Sequence, residues 1–387
     1  MYDRAFNYEG EKMNIKKFSV CFALVVLTAV TSFAQRGEFI RYQSLNTGLH
    51  FKTWRFGDEG GFKSFTEFAF PFSYSVSVSP RLGVEVITSP FLSSLDPVTG
   101  DKLSHNNLSD SFVRASYIVG DHRVLLTLGV GIPTGKAKLN NDQLTVAGFA
   151  ANRPLDNPVT NFGTGLNVNF AVAAAQEIGT WIVGLGVGYS LRQNYDALSS
   201  GQEVEVDPGD ELNLTFGVDK EFEWGDEKAK FTSDFIYTRY TEDDLNGQPF
   251  FEAGDRFLLQ AKFLLPLGKI KPLIISLANR WRLDNRSNNA ALIDNGNELE
   301  FGLTAFSPLG KKHSLKYLLD VKIYSNTVDD TDGALIGGVG LGVILRFSDR
   351  VSFDPAFKFS KGRINVGSNN DIDLTGLEAT GGLSIRL

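Results

Sequence analysis

From residue 62 onward, apolar side chains recur at every second position through long segments. Phe68, Phe70, Phe72, Tyr74, Val76 and Val78 alternate with Ala69, Pro71, Ser73, Ser75 and Ser77, and Ser79-Pro80-Arg81 then turns the chain into Leu82, Val84 and Val86. Strict alternation of this kind predicts a strand with one apolar face. The pattern returns in Val113 to Val119 and, after a turn at Gly120-Asp121-His122, in Val124 to Ile132. It continues in Phe162 to Val172 and, past Glu177-Ile178-Gly179, in Trp181 to Leu191, where Gly184, Gly186, Gly188 and Ser190 occupy the opposite face. Further strands are predicted over Leu212 to Val218, Phe231 to Tyr237, Phe257 to Leu265, Leu273 to Leu283, Leu299 to Ala305 and Leu315 to Ile323. The series closes with Leu335 to Leu345, Val351 to Phe359, and a last strand through Leu377, Ala379, Leu383, Ile385 and Leu387.

Connections between these strands alternate in length. Short turns are separated by polar stretches at 134 to 160, 193 to 210, 242 to 254, 284 to 297 and 362 to 373. A transmembrane barrel has this grammar: tight turns on the periplasmic side, longer loops outside, and strands of about 10 residues tilted across the bilayer. The prediction is all-β, a transmembrane antiparallel up-and-down β-barrel of about 16 strands, with 14 possible. An even count requires a further strand before residue 62. Ile40 to Phe56 is the candidate, with Leu45, Leu49 and Phe51 on one face, and the alternative is a short plug inside the lumen.

The face opposite the apolar one collects small and charged residues. Ten basic side chains (Arg114, Lys230, Lys262, Arg280, Arg282, Lys316, Lys322, Arg346, Lys358, Arg386) meet nine acidic ones (Glu85, Glu211, Asp219, Asp234, Glu298, Glu300, Asp320, Asp354, Glu378). A soluble sandwich shares the alternation, but its strands are about five or six residues long and a chain of this length would divide into several domains. The apolar face therefore reads as lipid-facing and the mixed face as lumen. Arg114, Lys262, Arg280, Arg282, Glu298, Glu300, Lys316, Asp320, Arg346, Asp354 and Lys358 are the candidate lumen residues. The near balance of the ten basic and nine acidic residues on that face predicts weak ion selectivity unless the charges segregate by height. Arg280 and Arg282 are placed to pair with Glu298 and Glu300 on the next strand. Trp181, Trp281 and Tyr189 are expected in interfacial girdles.

Composition agrees with this reading and adds an export signal. The chain has 31 Phe, 11 Tyr and 39 Gly against one Cys and two Met, a balance that favours strands and aromatic surface. Lys16 and Lys17, the apolar run Phe18 to Val30 and the small-x-small site Ser32-Phe33-Ala34 form a secretory signal, so residues 1 to 34 are a leader, with Met13 the expected start, and 35 to 387 the barrel. The sole cysteine, Cys21, falls in that leader, which leaves the exported chain without disulfides. With a net charge of -7 and no basic stripe, nucleic acid is excluded as a partner. The expected partners are outer-membrane lipid, the barrel-assembly machinery and a small-molecule solute, in the cell outer membrane.

These features resemble outer-membrane β-barrels, including the final strand Gly381-Gly382-Leu383-Ser384-Ile385-Arg386-Leu387, which ends in Leu where such barrels usually end in an aromatic residue. Within that class, Leu108-Ser109-Asp110-Ser111-Phe112-Val113-Arg114-Ala115 followed by Leu128-Gly129-Val130-Gly131-Ile132-Pro133-Thr134-Gly135-Lys136 resembles the barrels of aromatic meta-pathway degradation, relatives of fatty-acid and hydrocarbon uptake channels. The resemblance implies passage of small, often hydrophobic molecules.

Other motifs carry less. Gly131 to Lys136 lacks the spacing, the following Ser or Thr and the helix of a phosphate loop. The triplets Gly184, Gly186, Gly188 and Gly338, Gly340, Gly342 have a strict period of two and belong on one strand face. His122 and His313 are expected in periplasmic turns, His105 in an outer loop and His50 in the first strand, so no nucleophile-base pair is predicted and no enzyme. No cofactor or transition-metal site is predicted. Asp329-Asp330-Thr331-Asp332-Gly333 and Glu242-Asp243-Asp244 are oxygen-rich enough for Ca²⁺, but read first as solvated loop residues. Three functions stand: a passive diffusion channel, a substrate-specific transporter of small hydrophobic or aromatic compounds, and a non-conducting structural barrel. The first is favoured because about 16 strands enclose an aqueous lumen unless something fills it. A porin would show an outer loop folded inward, and 134 to 160 is the longest.

Overall fold

The structure is a computed structural model and describes residues 43–57, 61–120, 123–160, 162–199, 204–268, 270–287, 290–291, 295–327, 331–366 and 371–387. The leader lies outside the described residues, as do His122, Asp329 and Asp330.

Alternation becomes wall. The strands are β1 (Ser44–Phe56), β2 (Phe62–Ala69, resuming as Phe72–Ser79), β3 (Leu82–Thr88, resuming as Pro90–Pro97), β4 (Leu103–Leu108, resuming as Ser111–Val119), β5 (Val124–Ile132) and β6 (Asn167–Ile178). They continue as β7 (Trp181–Arg192), β8 (Glu211–Trp224), β9 (Glu227–Tyr240), β10 (Arg256–Leu267) and β11 (Ile270–Arg282). The last five are β12 (Gly296–Leu309), β13 (His313–Thr327), β14 (Thr331–Arg346), β15 (Val351–Val366) and β16 (Asp371–Arg386). Each pairs antiparallel with its sequence neighbours, and β1 pairs with β16 from Ser44↔Arg386 to Phe56↔Leu374. The result is a closed antiparallel barrel of 16 strands. Closure leaves no strand edge in lipid, where an unpaired backbone group would cost several kcal/mol.

Within the candidate segment 40 to 56, residues 44 to 56 are therefore wall rather than plug. They form the strand that closes the barrel. Three adjacent strands are interrupted at one level. Pro71 and Pro90 have no N–H for the ladder, and the extra residue in β4 shifts the pairing from Ser93↔His105 to Glu85↔Arg114. Hydrogen bonds still bridge the break, from Phe70 N to Pro90 O at 2.8 Å and from Ser109 N to Ser89 O at 2.9 Å.

Several boundaries differ from the alternation-based ones. Phe162 is not in the wall: β6 starts at Asn167, and Phe162 is a buried residue of the loop that precedes β6. Alternation alone does not distinguish a strand from a loop that buries every second residue. The stretch 362 to 373 is mostly strand, because β15 and β16 rise well above the bilayer and pair with each other out to Asn365↔Asp371. His105 is a buried residue of β4 rather than a loop residue, and His313 opens β13.

Periplasmic connections are tight; that between β6 and β7 holds Gly179 at φ 62, a left-handed conformation that two-residue hairpins require. Outside, short strands from the loops 193–210, 241–255 and 283–295 join into a separate sheet above the rim. The outward rows of β6 to β16 expose Phe170, Leu185, Phe216, Phe263, Leu277, Leu319, Leu341 and Phe357, while no described helix is long and apolar enough to cross a membrane. The lipid contact is made by strands.

Candidate functional site

The loop 133–166 leaves β5 at the outer rim and folds down into the lumen. One carboxylate pins both ends: Asp110 Oδ1 accepts from Gly135 N at 2.9 Å, and its Oδ2 accepts from Thr164 N at 2.7 Å. Between them lies helix α1 (Asn141–Ala150). A capping box starts it, with Asn140 Oδ1 accepting from Gln143 N at 2.9 Å and Gln143 Oε1 accepting from Asn140 N at 3.2 Å. The helix buries Leu144, Val146, Ala147 and Ala150 against Phe65, Ala69, Phe91 and Leu95 of β2 and β3. Phe149 packs edge-on against Phe62, with centroids 4.7 Å apart.

Past the helix the loop crosses to the other wall. The turn Arg153–Leu155 ends at Asp156, which takes a left-handed conformation (φ 49). Leu155 fills an apolar patch of Trp54, Tyr324, Ala334, Ile336, Ile364 and Leu374, drawn from β1 and β13 to β16. Trp54 lies flat on the wall there because Gly376 beneath it has no side chain; an added Cβ would fall 2.6 Å from the ring. The return segment is held by Val159 N donating to Glu67 at 2.8 Å, and by Phe162 packed on His105 and Phe91. Ser93 Oγ donates to the other oxygen of the buried Glu67 at 2.7 Å.

Charge locks the crossing. Arg153 grips Glu298 of β12 through Nε at 3.0 Å and through Nη2, while Arg280 of β11 reaches Glu300 at 2.6 Å and Glu298 at 3.7 Å. Asp156 pairs with Lys322 of β13, and with Lys52 of β1 at 3.8 Å. Lys52 also faces Glu378 of β16 at 3.7 Å, and Lys358 of β15 bridges Glu378 at 3.2 Å and Asp320 at 3.3 Å. Burial pushes the Asp156 carboxyl up, but Lys322 and Lys52 outweigh it and hold it at about 2. Burial likewise disfavours the charged Arg153, and Glu298 more than compensates, so the guanidinium titrates above its ordinary range.

Across the lumen, Arg192 of β7 pairs with the buried Glu211 of β8, and the guanidinium groups of Arg192 and Arg256 stand 5.9 Å and 5.0 Å from the ring of Tyr240. Below the loop, Thr304, Asp320, Ala356, Lys358 and Thr380 line a recess of about 170 Å³ open to the lumen.

The candidate lumen residues thus divide by height. Arg280, Glu298, Glu300, Asp320 and Lys358 are brought together beside the loop. Arg282 follows on the same row of β11. Arg114 pairs with Glu85, and Lys316 with Asp354 at 2.8 Å, each between neighbouring or next-neighbouring strands below the loop. Lys262 lies on the inward row of β10 beside Thr232 and Ser276, and Arg346 is exposed at the periplasmic end. Sequence reasoning missed Arg153, Asp156, Lys52 and Trp54. The first two sit in a loop without periodicity. The alternation His50, Lys52, Trp54 opposite Leu49, Phe51 was the available signal for the others.

No family model matches the sequence, and no curated protein matches it. Among solved structures, the chain is similar to Pseudomonas putida OprB at 10% identity, covering 91% of this chain and 96% of that one with a TM-score of 0.48. It is similar to Pseudomonas aeruginosa OpdQ at 11% identity, covering 89% and 99% with a TM-score of 0.47. Pseudomonas aeruginosa OccK2 (OpdF), solved in complex with glucuronate, matches at 10% identity, 89% and 98% coverage and a TM-score of 0.46.

Proposed function

We propose that the chain is an outer-membrane channel for passive diffusion of small polar solutes, with its aperture set by the loop 133–166. The observation that carries this reading is the crossing itself: Arg153 and Asp156 are bound to charged side chains of β1, β12 and β13, so the narrowed lumen is bordered by paired charges. Such a border favours hydrated polar solutes over hydrocarbons, because a hydrocarbon would have to displace the water that solvates those charges. The apolar lumen residues Trp54, Ile336 and Leu374, which a route for hydrophobic compounds would use, are covered by Leu155.

The test is single-channel recording of the refolded chain 35 to 387 in a planar bilayer, after heat-dependent gel mobility has confirmed folding. Discrete ohmic steps are expected, with larger steps when residues 141 to 158 are replaced by a short glycine-serine linker. Silence from the folded full chain together with steps from the shortened one would make the loop a plug. Silence from both would exclude a channel.

A further inference from the structure

Elsewhere on the lipid-facing wall, the level where hydrocarbon meets the outer headgroups is marked by aromatic residues. Tyr237 on β9 and Trp281 on β11 face outward roughly 10 residues above their own periplasmic turns, the length needed to cross. Tyr237 Oη donates to Asp255 at 2.7 Å, as Tyr189 Oη of β7 does to Asp210, the residue before β8.

At the corresponding level on β15, β16 and β1 the aromatic residues are replaced by cations. Register places Lys361 opposite Thr375, Thr375 opposite Arg55, and Arg55 opposite Ser64 of β2. The next outward row below is Phe359, Leu377 and Thr53, and below that lie Phe357, Ala379 and Phe51. Arg55 and Lys361 are both exposed, and among the described residues neither has an ion pair. The next outward cation, Arg363, differs: it is paired with Asp371 at 2.8 Å and Asp373 at 3.3 Å. With strands about 4.8 Å apart, Arg55 and Lys361 flank Thr375 at a backbone separation of about 10 Å, within reach of one anion between them.

Two unpaired cations, flanked by two hydroxyls, thus sit directly on an apolar wall at the outer boundary of the bilayer. An anion with acyl chains satisfies both surfaces at once. We propose that Arg55, Thr375 and Lys361 bind the phosphate of a phosphorylated outer-leaflet glycolipid whose acyl chains lie along Phe359, Phe357 and Phe51. The site is on the outside of the barrel and does not depend on whether the lumen conducts.

Native mass spectrometry of the detergent-solubilised, folded barrel tests this with diphosphorylated lipid A as the probe. The wild-type chain is expected to retain one lipid, and Arg55→Gln combined with Lys361→Gln to weaken retention about tenfold. Arg239→Gln, which removes an exposed outward cation on β9, is expected to leave it unchanged. Dephosphorylated lipid A should bind the wild type no better than the diphosphorylated lipid binds the double variant. Equal retention by the double variant, or equal binding of the dephosphorylated lipid, overturns the proposal. Inorganic phosphate competing as strongly as the lipid would overturn the assignment to a lipid. Heat-dependent gel mobility of both variants confirms that they fold.

Discussion

The indole Nε1 of Trp54 donates to the carbonyl oxygen of Leu155 at 2.8 Å, joining the strand that closes the barrel to the tip of the loop that crosses it. The bond is buried, and the Leu155 side chain occupies the patch beside the same ring. Wall closure and lumen constriction therefore share one residue.

Trp54→Phe removes this bond and keeps most of the packing, so it is expected to cost about 1 kcal/mol of loop docking. Trp54→Ala also opens a cavity and is expected to cost about 3 to 5 kcal/mol. Open-channel noise should rise in that order, while heat-dependent mobility still reports a closed barrel. Equal noise in all three chains would separate Trp54 from the loop.

Glu298 neutralises Arg153 and faces Arg280, so Glu298→Gln leaves two guanidinium groups with one fewer carboxylate between them. Reversal potentials in a salt gradient are expected to move toward anion preference. Arg153→Gln is expected to move them toward cations. Shifts of the same sign would show that the pair does not border the conducting path.

The Asp156 carboxyl is held at about 2 by Lys322 and Lys52 against the opposing effect of burial. Its folded value lies below the ordinary carboxylate range, so its contribution is present above about pH 4 and is lost as pH falls toward 2. Channel noise should increase over that interval. Asp156→Asn, which tolerates the same left-handed backbone, should be noisy at neutral pH and lack the acid-dependent rise.

Asp243, in the outer sheet, behaves oppositely. Burial raises its carboxyl to about 6, although Gly209 N donates to it at 2.7 Å. A carboxyl raised on folding contributes stability below its ordinary value and loses it as pH rises through about 6. The equivalent position beside Gly254 is Asn285, whose Oδ1 accepts from Gly254 N at 2.8 Å. Asp243→Asn is therefore expected to keep the bond and remove the pH dependence, read as hydrogen-exchange protection of the Gly209 amide between about pH 5 and 7, one unit on either side of the folded value.

Glu67→Ala leaves the Val159 N–H buried without an acceptor, at a cost of about 1 to 3 kcal/mol, whereas Glu67→Gln retains a carbonyl oxygen there. Chymotrypsin cleavage after Phe149, in the same loop, should accelerate in the alanine variant and much less in the glutamine one. Equal rates would mean that this bond does not hold the loop.

Alternation by itself determined the barrel. Side chains in a strand point to opposite faces at every residue, so an apolar row such as Leu185, Val187, Tyr189 opposite Gly184, Gly186, Gly188 states which face meets lipid wherever the strand is placed. It also put Arg280 beside Glu300, because neighbouring strands of a meander are neighbours in sequence. The ends of strands and the interior of the lumen were decided only by the tertiary structure. Phe162 keeps the period of β6 yet buries itself on His105, and β15 with β16 extend through a polar stretch because hydrogen-bonded pairing continues where no lipid demands an apolar face. Arg153 meets Glu298, and Asp156 meets Lys322, across the barrel at large sequence separation. No local pattern encodes such contacts, since they depend on where a loop without periodicity lands on a closed wall.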